Sequence, residues 1–399
     1  MSSDVLLEDF RLDLREWIQR NRPEGLENLV DWNGSHGGGA RRERIAHAMD
    51  DPRYKQWEEH LKEARLICPQ WPEDVGGRGF SAPQLAVFSE ELNHSGLPRV
   101  HRGMGEGLVG PSLIVHGDDW QRNQFLPRII TNEDIYCQGF SEPGHGSDLA
   151  GVETKGEIDG DEIVITGQKV WTSGATEANM IFVLCRTGPD LPKHSGLTYV
   201  LVPIADNGFT IRPIRQISGA SGFCEVFIDG ARAPIQNIVG GLNNGWRVAM
   251  TTLSNERGAG ATVQHLPYER EFWHLVSIAK ERGLTGDPLL RQKLAWAFSH
   301  VQIMRFSGLR TMDALRANRE PPIGTLAGKL FWSEYNKRFG ETALDMLGAD
   351  ALIRPSDDEY ALSSWQELFL HSRAGTIFAG TSEIQRNVIS ERGLGLPKS

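Results

Sequence analysis

The spacing of apolar residues changes character twice along this 399-residue chain, and those two changes limit the fold more than any bulk property does. From Asp4 to Gln19, Phe10, Leu14, Trp17 and Ile18 recur at helical spacing. Asp51 to Ala64 predicts a second helix, with Pro52 near its first turn, and further helices are expected over Ala82–Leu92, Gly107–Gly117 and Asp119–Ile130. From Glu133 onward, short apolar runs between turn residues take over. Glu162–Thr166, Ile181–Cys185, Leu197–Pro203, Phe209–Ile214 and Glu225–Ile228 are strand candidates, spaced as in a small antiparallel barrel or sandwich. From Asn243 the helical period returns. One helix is expected to run to about Arg282, a second to start near Pro288, a third to cover Leu326–Leu347 and a last to follow Thr381, which together predict a bundle. The chain therefore reads as α+β in three parts: a helical domain over 1–132, a β domain over 133–237 and a helical bundle over 238–399.

Composition removes several functions. A net charge of −10 argues against a nucleic-acid partner, because phosphate binding needs clustered Lys and Arg, and the basic runs here are short and interrupted by acid. No apolar run approaches the ~20 residues of a membrane helix. The start, MSSDVLLEDFRLDLREW, lacks the apolar core of a signal peptide, so a cytoplasmic protein is expected. Cys68, Cys137, Cys185 and Cys224 are far apart and form no CxxC pair, which predicts reduced thiols and no metal site. No G-x-G-x-x-G opens a βαβ unit, which disfavours a nicotinamide-dinucleotide fold.

The stretch from Cys137 to Ser173 carries the densest functional signal. Phe140 to Asp148 is a glycine- and hydroxyl-rich turn region whose free N–H groups suit an oxygen-rich ring system or a phosphate. Beyond it, Glu162–Thr166 and Lys169–Thr172 read as two strands joined by a turn at Gly167-Gln168.

The order of these residues is more specific than their types. FSEPGHGSD at Phe140–Asp148 and DGDEIVITGQKVWTSGA at Asp159–Ala175 resemble the middle domain of the acyl-CoA dehydrogenase family. Ala379-Gly380-Thr381-Ser382-Glu383-Ile384-Gln385-Arg386 resembles its C-terminal flavin-side motif, and Cys68 to Ser81 its inter-helix turn. The resemblance runs from roughly Trp71 to the C-terminus. It implies the helical, β, helical plan, FAD as cofactor, an acyl-CoA thioester as substrate and a homo- or heterotetramer built as a dimer of dimers. It also implies electron-transfer flavoprotein as the acceptor. The implied reaction takes a proton from Cα and a hydride from Cβ to the flavin.

Residue by residue, the resemblance places Phe140 and Ser141 beside the flavin ring and Gly146 and Ser147 near the pyrophosphate and CoA arm. Trp171 packs near the ring, and Ser173, with Thr172 as its neighbour, supplies a hydroxyl near its reactive nitrogen. Arg282 corresponds to an arginine that reaches the pyrophosphate of a neighbouring subunit, Thr381 and Glu383 to adenosine- or phosphate-side positions, and Leu347-Gly348-Ala349-Asp350 to a turn near the adenine. Gln292 or Lys293 is matched to another cross-subunit position, and Asp345 stands where an amide is frequent. The common catalytic glutamate before Gly-Thr is replaced by Ala379, which keeps only a backbone N–H for the thioester oxygen. The family's second solution, a glutamate before an arginine on the first C-terminal helix, points to Glu256 as the base and Arg257 beside it, and goes with branched or bulky acyl chains. Two rivals remain at this level: a flavin monooxygenase or oxidase on the same fold, and a structural subunit of a hetero-oligomeric dehydrogenase.

Overall fold

The computed structural model of the chain describes residues 3–30, 45–255, 263–317, 319–320, 322–353 and 362–397. The first layer holds α1 (Ser3–Asn21), α2 (Pro52–Glu63), α3 (Ala82–Ser95), α4 (Gly110–His116) and α5 (Asp119–Ile130). Local chemistry sets their starts. Asp51 caps α2 by accepting from the Arg53 amide at 2.9 Å, and Asp118 and Gln121 form a reciprocal capping box at α5. Gly105–Val109, entering α4, is a π-helical turn.

The second layer is one eight-stranded mixed sheet in the order β6-β7-β3-β2-β4-β5-β8, with β1 also paired to β4. Its strands are β1 (Tyr136–Gly139), β2 (Lys155–Asp159), β3 (Glu162–Ser173), β4 (Met180–Arg186), β5 (Leu197–Pro203), β6 (Phe209–Ile214), β7 (Phe223–Pro234) and β8 (Ile238–Val239). Most neighbours are antiparallel. The exceptions are β1 with β4 and a single parallel bridge, Lys155 to Arg186. The central strands β4 and β5 are buried on both faces, which explains their unbroken apolar spelling. Phe182, Leu184, Tyr199 and Leu201 join the N-terminal helices in one core, while Ile181, Val183, Val200 and Val202 join β3 and β7 residues in a second.

One expectation is overturned here. Gly167-Gln168 is not a turn, because both residues stay in the ladder opposite Ile228 and Phe227, and β3 runs unbroken from Glu162 to Ser173. The hairpin turns instead at Gly160-Asp161, between the paired residues Asp159 and Glu162, where Gly160 takes a φ of 66° that glycine adopts without strain. The irregularity that reads as a turn is a pair of compensating bulges. Between Ile165 and Gly167 the extra residue sits on β7; between Lys169 and Thr172 it sits on β3.

The third layer contains α6 (Gly245–Asn255), α7 (His265–Glu281), α8 (Pro288–Arg316), α9 (Gly328–Leu347), α10 (Ser364–Gly375) and α11 (Ser382–Val388). The helix expected from Asn243 to about Arg282 is described as α6 and α7; residues 256–262 between them lie outside the described residues. A capping box of Ser363 and Gln366 opens α10, a helix that apolar spacing alone did not indicate. Tyr268, Phe272, Val301, Tyr335, Phe339 and Leu368 fill the core of the bundle. No described helix is long and apolar enough to cross a membrane.

Candidate functional site

The site residues of the β layer converge on one edge, and the bulge in β3 is what exposes them. Lys169 and Thr172 both point inward although three positions apart, so the intervening Trp171 is turned out, with φ at 61° and 59 % of its surface exposed. It is therefore no core anchor; its ring meets that of Phe223 in a T-shaped contact, with centroids 6.3 Å apart. Thr172 sits opposite Cys224, and its buried hydroxyl has no hydrogen-bond partner among the described residues. Ser173 is half-buried opposite Phe223. Across from them, the carbonyl of Ser141 accepts from the Val170 amide at 2.9 Å. Phe140 buries its ring edge-on against Phe182 and Tyr199, at 5.5 and 6.0 Å, so only its main chain belongs to the edge.

Behind this edge lies a buried ion pair to which no role was assigned from sequence. Lys169 Nζ donates to Glu142 Oε1 at 2.9 Å, to the carbonyl of Leu184 at 2.8 Å and to the carbonyl of Phe140 at 3.1 Å. Glu142 also accepts from the amides of Glu153 and Thr154, at 2.7 and 2.9 Å. Burial lowers the Lys169 ammonium below its ordinary value against the pull of Glu142. Burial pushes the Glu142 carboxyl up, but Lys169 and the hydrogen bonds from residues 153 and 154 bring it below the usual carboxylate range. The available signal was a lysine at an inward strand position.

Gly146 and Ser147 are exposed on the loop that follows, which is closed by reciprocal main-chain bonds of 3.0 Å between Glu142 and His145. A hydrogen bond from Lys193 lowers the adjacent Asp148 carboxyl.

The C-terminal motif forms a second group. Ala379 and Gly380 take φ values of 52° and 88°, the left-handed region that a side-chain-bearing residue enters at a cost. Thr381 then caps α11, accepting from the Ile384 amide at 3.2 Å, and Gln385 donates to the Ala379 carbonyl at 3.2 Å. Glu383 is exposed in the first turn; hydrogen bonds from its own amide and from Thr381 lower its carboxyl. Ser382 anchors the turn to α9 through Glu334, at 3.1 Å. No hydrogen bond or ion pair among the described residues joins this group to the β-layer edge.

A third group unites two segments that the sequence assigned to the dinucleotide end. Arg282 pairs with Asp350 at 2.8 Å and reaches the carbonyl of Leu347 at 3.4 Å, and Lys293 pairs with Asp345 at 2.6 Å. All four side chains are at least one-third exposed.

Glu256 and Arg257 lie outside the described residues. The helix that leads to them, α6, is fixed to the N-terminal layer by Ser112 to Thr252 at 2.8 Å and His116 to Thr251 at 2.7 Å. The π-turn also packs on α6, and Glu106 within it is held by Arg99 at 2.6 Å, Gln70 at 3.1 Å and the Arg102 amide at 3.1 Å. Burial pushes the Glu106 carboxyl up, but Arg99 and His101 outweigh it and bring it to about 2.

Among the described residues no group of three or more His, Cys, Asp and Glu could hold a metal ion. The β-layer edge does fit a flavin: an outward indole, a buried hydroxyl in want of a partner and a half-buried serine stand side by side on rigid strand.

Family models described as the N-terminal, middle and C-terminal domains of acyl-CoA dehydrogenase match residues 40–133, 137–231 and 243–394. The chain is 42 % identical over 392 residues to acyl-CoA dehydrogenase IpdE1 of Mycobacterium tuberculosis (strain ATCC 25618 / H37Rv), covering 98 % of each. Among solved structures it resembles the Tcur3481-Tcur3483 steroid ACAD, with a TM-score of 0.79 and 28 % identity over 99 % of this chain and 98 % of that one. It also resembles a chain of the ChsE4-ChsE5 complex from Mycobacterium tuberculosis, with a TM-score of 0.77 and 25 % identity over 100 % and 99 %.

Proposed function

From the chain's membership of the acyl-CoA dehydrogenase family, a family of FAD-dependent oxidoreductases, we propose that it desaturates the Cα–Cβ bond of a branched or ring-bearing acyl-CoA thioester. Bound FAD supplies the two-electron acceptor for the hydride that leaves Cβ. Phe140 and Ser141 through their main chain, with Trp171, Thr172 and Ser173 from the bulge, hold the ring; Gly146 and Ser147 line the way to the CoA arm. Glu256 takes the α-proton onto its carboxylate, with Arg257 orienting it. The backbone N–H of Ala379 donates to the thioester oxygen as negative charge gathers there.

The single observation that carries this reading is the β3 bulge, which turns Trp171 to solvent while leaving the Thr172 hydroxyl buried and unbonded. A bulky acyl chain is favoured by the loss of the glutamate at Ala379 and by the named steroid activity of one structural relative.

The working form is a cytoplasmic oligomer, a dimer of dimers with identical or different subunits, and electron-transfer flavoprotein takes the electrons. Arg282 then serves the pyrophosphate of a neighbouring subunit's cofactor, and Thr381 and Glu383 serve adenosine- or phosphate-side positions of the cofactor. Phe298, Phe306 and Leu309 leave an exposed apolar stripe on α8 that suits such assembly.

The test is anaerobic mixing of the flavin-loaded protein with short, branched and polycyclic CoA thioesters, reading the visible flavin absorbance. Bleaching by a bulky thioester alone is the expected result. A protein bleached by no thioester, and active only with externally supplied reduced flavin, would be an oxygen-using enzyme instead.

A further inference from the structure

The buried pair of Lys169 and Glu142 uses every polar atom it has on the protein itself. The ammonium has three donors and three acceptors, Glu142 Oε1 and the carbonyls of Phe140 and Leu184. The carboxylate takes that bond and two amide bonds from residues 153 and 154. The ammonium has no donor left for a ligand, and both side chains are buried, so the pair is placed to support the site from behind and not to line it. What it does is cross-link four segments of the sheet at one buried point. The carbonyl of Phe140 comes from the exit of β1, Lys169 from β3 one residue before the bulge, Leu184 from the middle of β4, and the two amides from the entry to β2.

Two of these segments form the edge itself. Phe140 and Ser141 stand on one side; Trp171, Thr172 and Ser173 stand on the other. The Ser141–Val170 bond of 2.9 Å is the main-chain link between them, and Lys169 supplies a second link from below at Phe140. A bulged strand has lost part of its ladder, so its side chains keep their direction only if something else fixes the backbone. Lys169 is fully buried immediately before the extra residue and is placed to do this.

We infer that Lys169 and Glu142 are positioning residues for the cofactor: the pair sets the separation of the Phe140–Ser141 edge and the Trp171–Ser173 bulge, and through it the affinity for FAD. The inference rests on the proposal that this edge holds the flavin, and the test separates the two. Full-length protein loaded with FAD is diluted, and cofactor release is followed by the recovery of free-flavin fluorescence, alongside the visible spectrum and the thermal midpoint. Lys169→Met and Glu142→Gln are expected to weaken FAD binding about tenfold or more and to shift the visible band. In Lys169→Met with Glu142→Gln the uncompensated charge is gone, so much of the lost thermal midpoint returns while FAD binding stays weak. A merely structural pair would restore both together. FAD binding within about twofold of the parent in the double variant therefore overturns the inference. Should Lys169→Met fail to fold, Glu142→Gln, whose amide oxygen still accepts hydrogen bonds, carries the same reading. Trp171→Phe and Ser173→Ala test the underlying proposal: if both leave the spectrum and FAD release unchanged, the edge is not the flavin site and the inference falls with it. If they alter binding and the Lys169 variants do not, only the positioning role is wrong.

Discussion

Lys169 and Arg282 each meet a carboxylate at almost the same distance, 2.9 and 2.8 Å, in opposite surroundings. The first pair has essentially no contact with water; in the second, 36 % of the Arg282 side chain and 57 % of that of Asp350 are exposed. On the proposed reading, the difference separates two ways of building a cofactor site. In the β layer the groups behind the edge are saturated, so the edge is preorganised by this chain alone. On the outer side of the bundle the charges are solvated and each meets a single carboxylate, so they can exchange that carboxylate for a phosphate at small cost.

The largest effect expected from this contrast is on stability. Lys169→Met strands the Glu142 carboxylate in the interior and should lower the free energy of unfolding by about 3–5 kcal/mol in urea titration. A loss below about 1 kcal/mol would erase the distinction.

Glu256→Gln should cut turnover at least ~10²-fold, about 2.7 kcal/mol in the barrier, while FAD stays bound at full occupancy. That result would part chemistry from holding. Turnover within about twofold of the parent would remove Glu256 from the proton transfer.

Glu106 extends the comparison to a second buried carboxylate. Its folded value of about 2 lies below the unfolded value near 4.3, so its contribution is complete above the unfolded value and is lost as pH falls through the folded one. Glu106→Gln should therefore flatten the fall in thermal midpoint between about pH 4.5 and 2, removing on the order of 2–3 kcal/mol of pH-dependent stability. An acid limb that keeps its slope would place the titration elsewhere.

The smallest change in stability belongs to Arg282→Ala, at most ~1 kcal/mol, because its pair with Asp350 is exposed. FAD affinity should nonetheless fall about tenfold in the assembled oligomer. A large stability loss with unchanged FAD release would reverse the contrast.

The same contrast explains what was legible in the sequence. Periodicity located the helical and β layers because apolar burial is written at fixed spacing, as in Leu197–Pro203, a strand whose ends were read correctly. The hairpin was misplaced because Gly167 in a strand signals a bulge as readily as a turn, and only pairing with β7 decides. Residues of the edge, such as Trp171 and Ser173, were found through their order in a motif. Lys169 and Glu142 stand within the same quoted stretch and drew no role, because the bonds that give them one cross 27 positions and involve carbonyls no spelling reveals. Arg282 was singled out, but its partner Asp350 is 68 positions away, and their meeting follows from how the helices pack.

The extra residue in β3 has a consequence for change over generations. A strand of even pleat over the same residues would carry position 171 inward and 172 outward, and the extra residue prevents this; losing a residue between Lys169 and Thr172 would take away either the indole itself or the Val170 amide that bonds to Ser141. Substitutions here can be gradual, but a change of length cannot. This part of the chain is therefore expected to keep its count of letters even where the letters themselves drift.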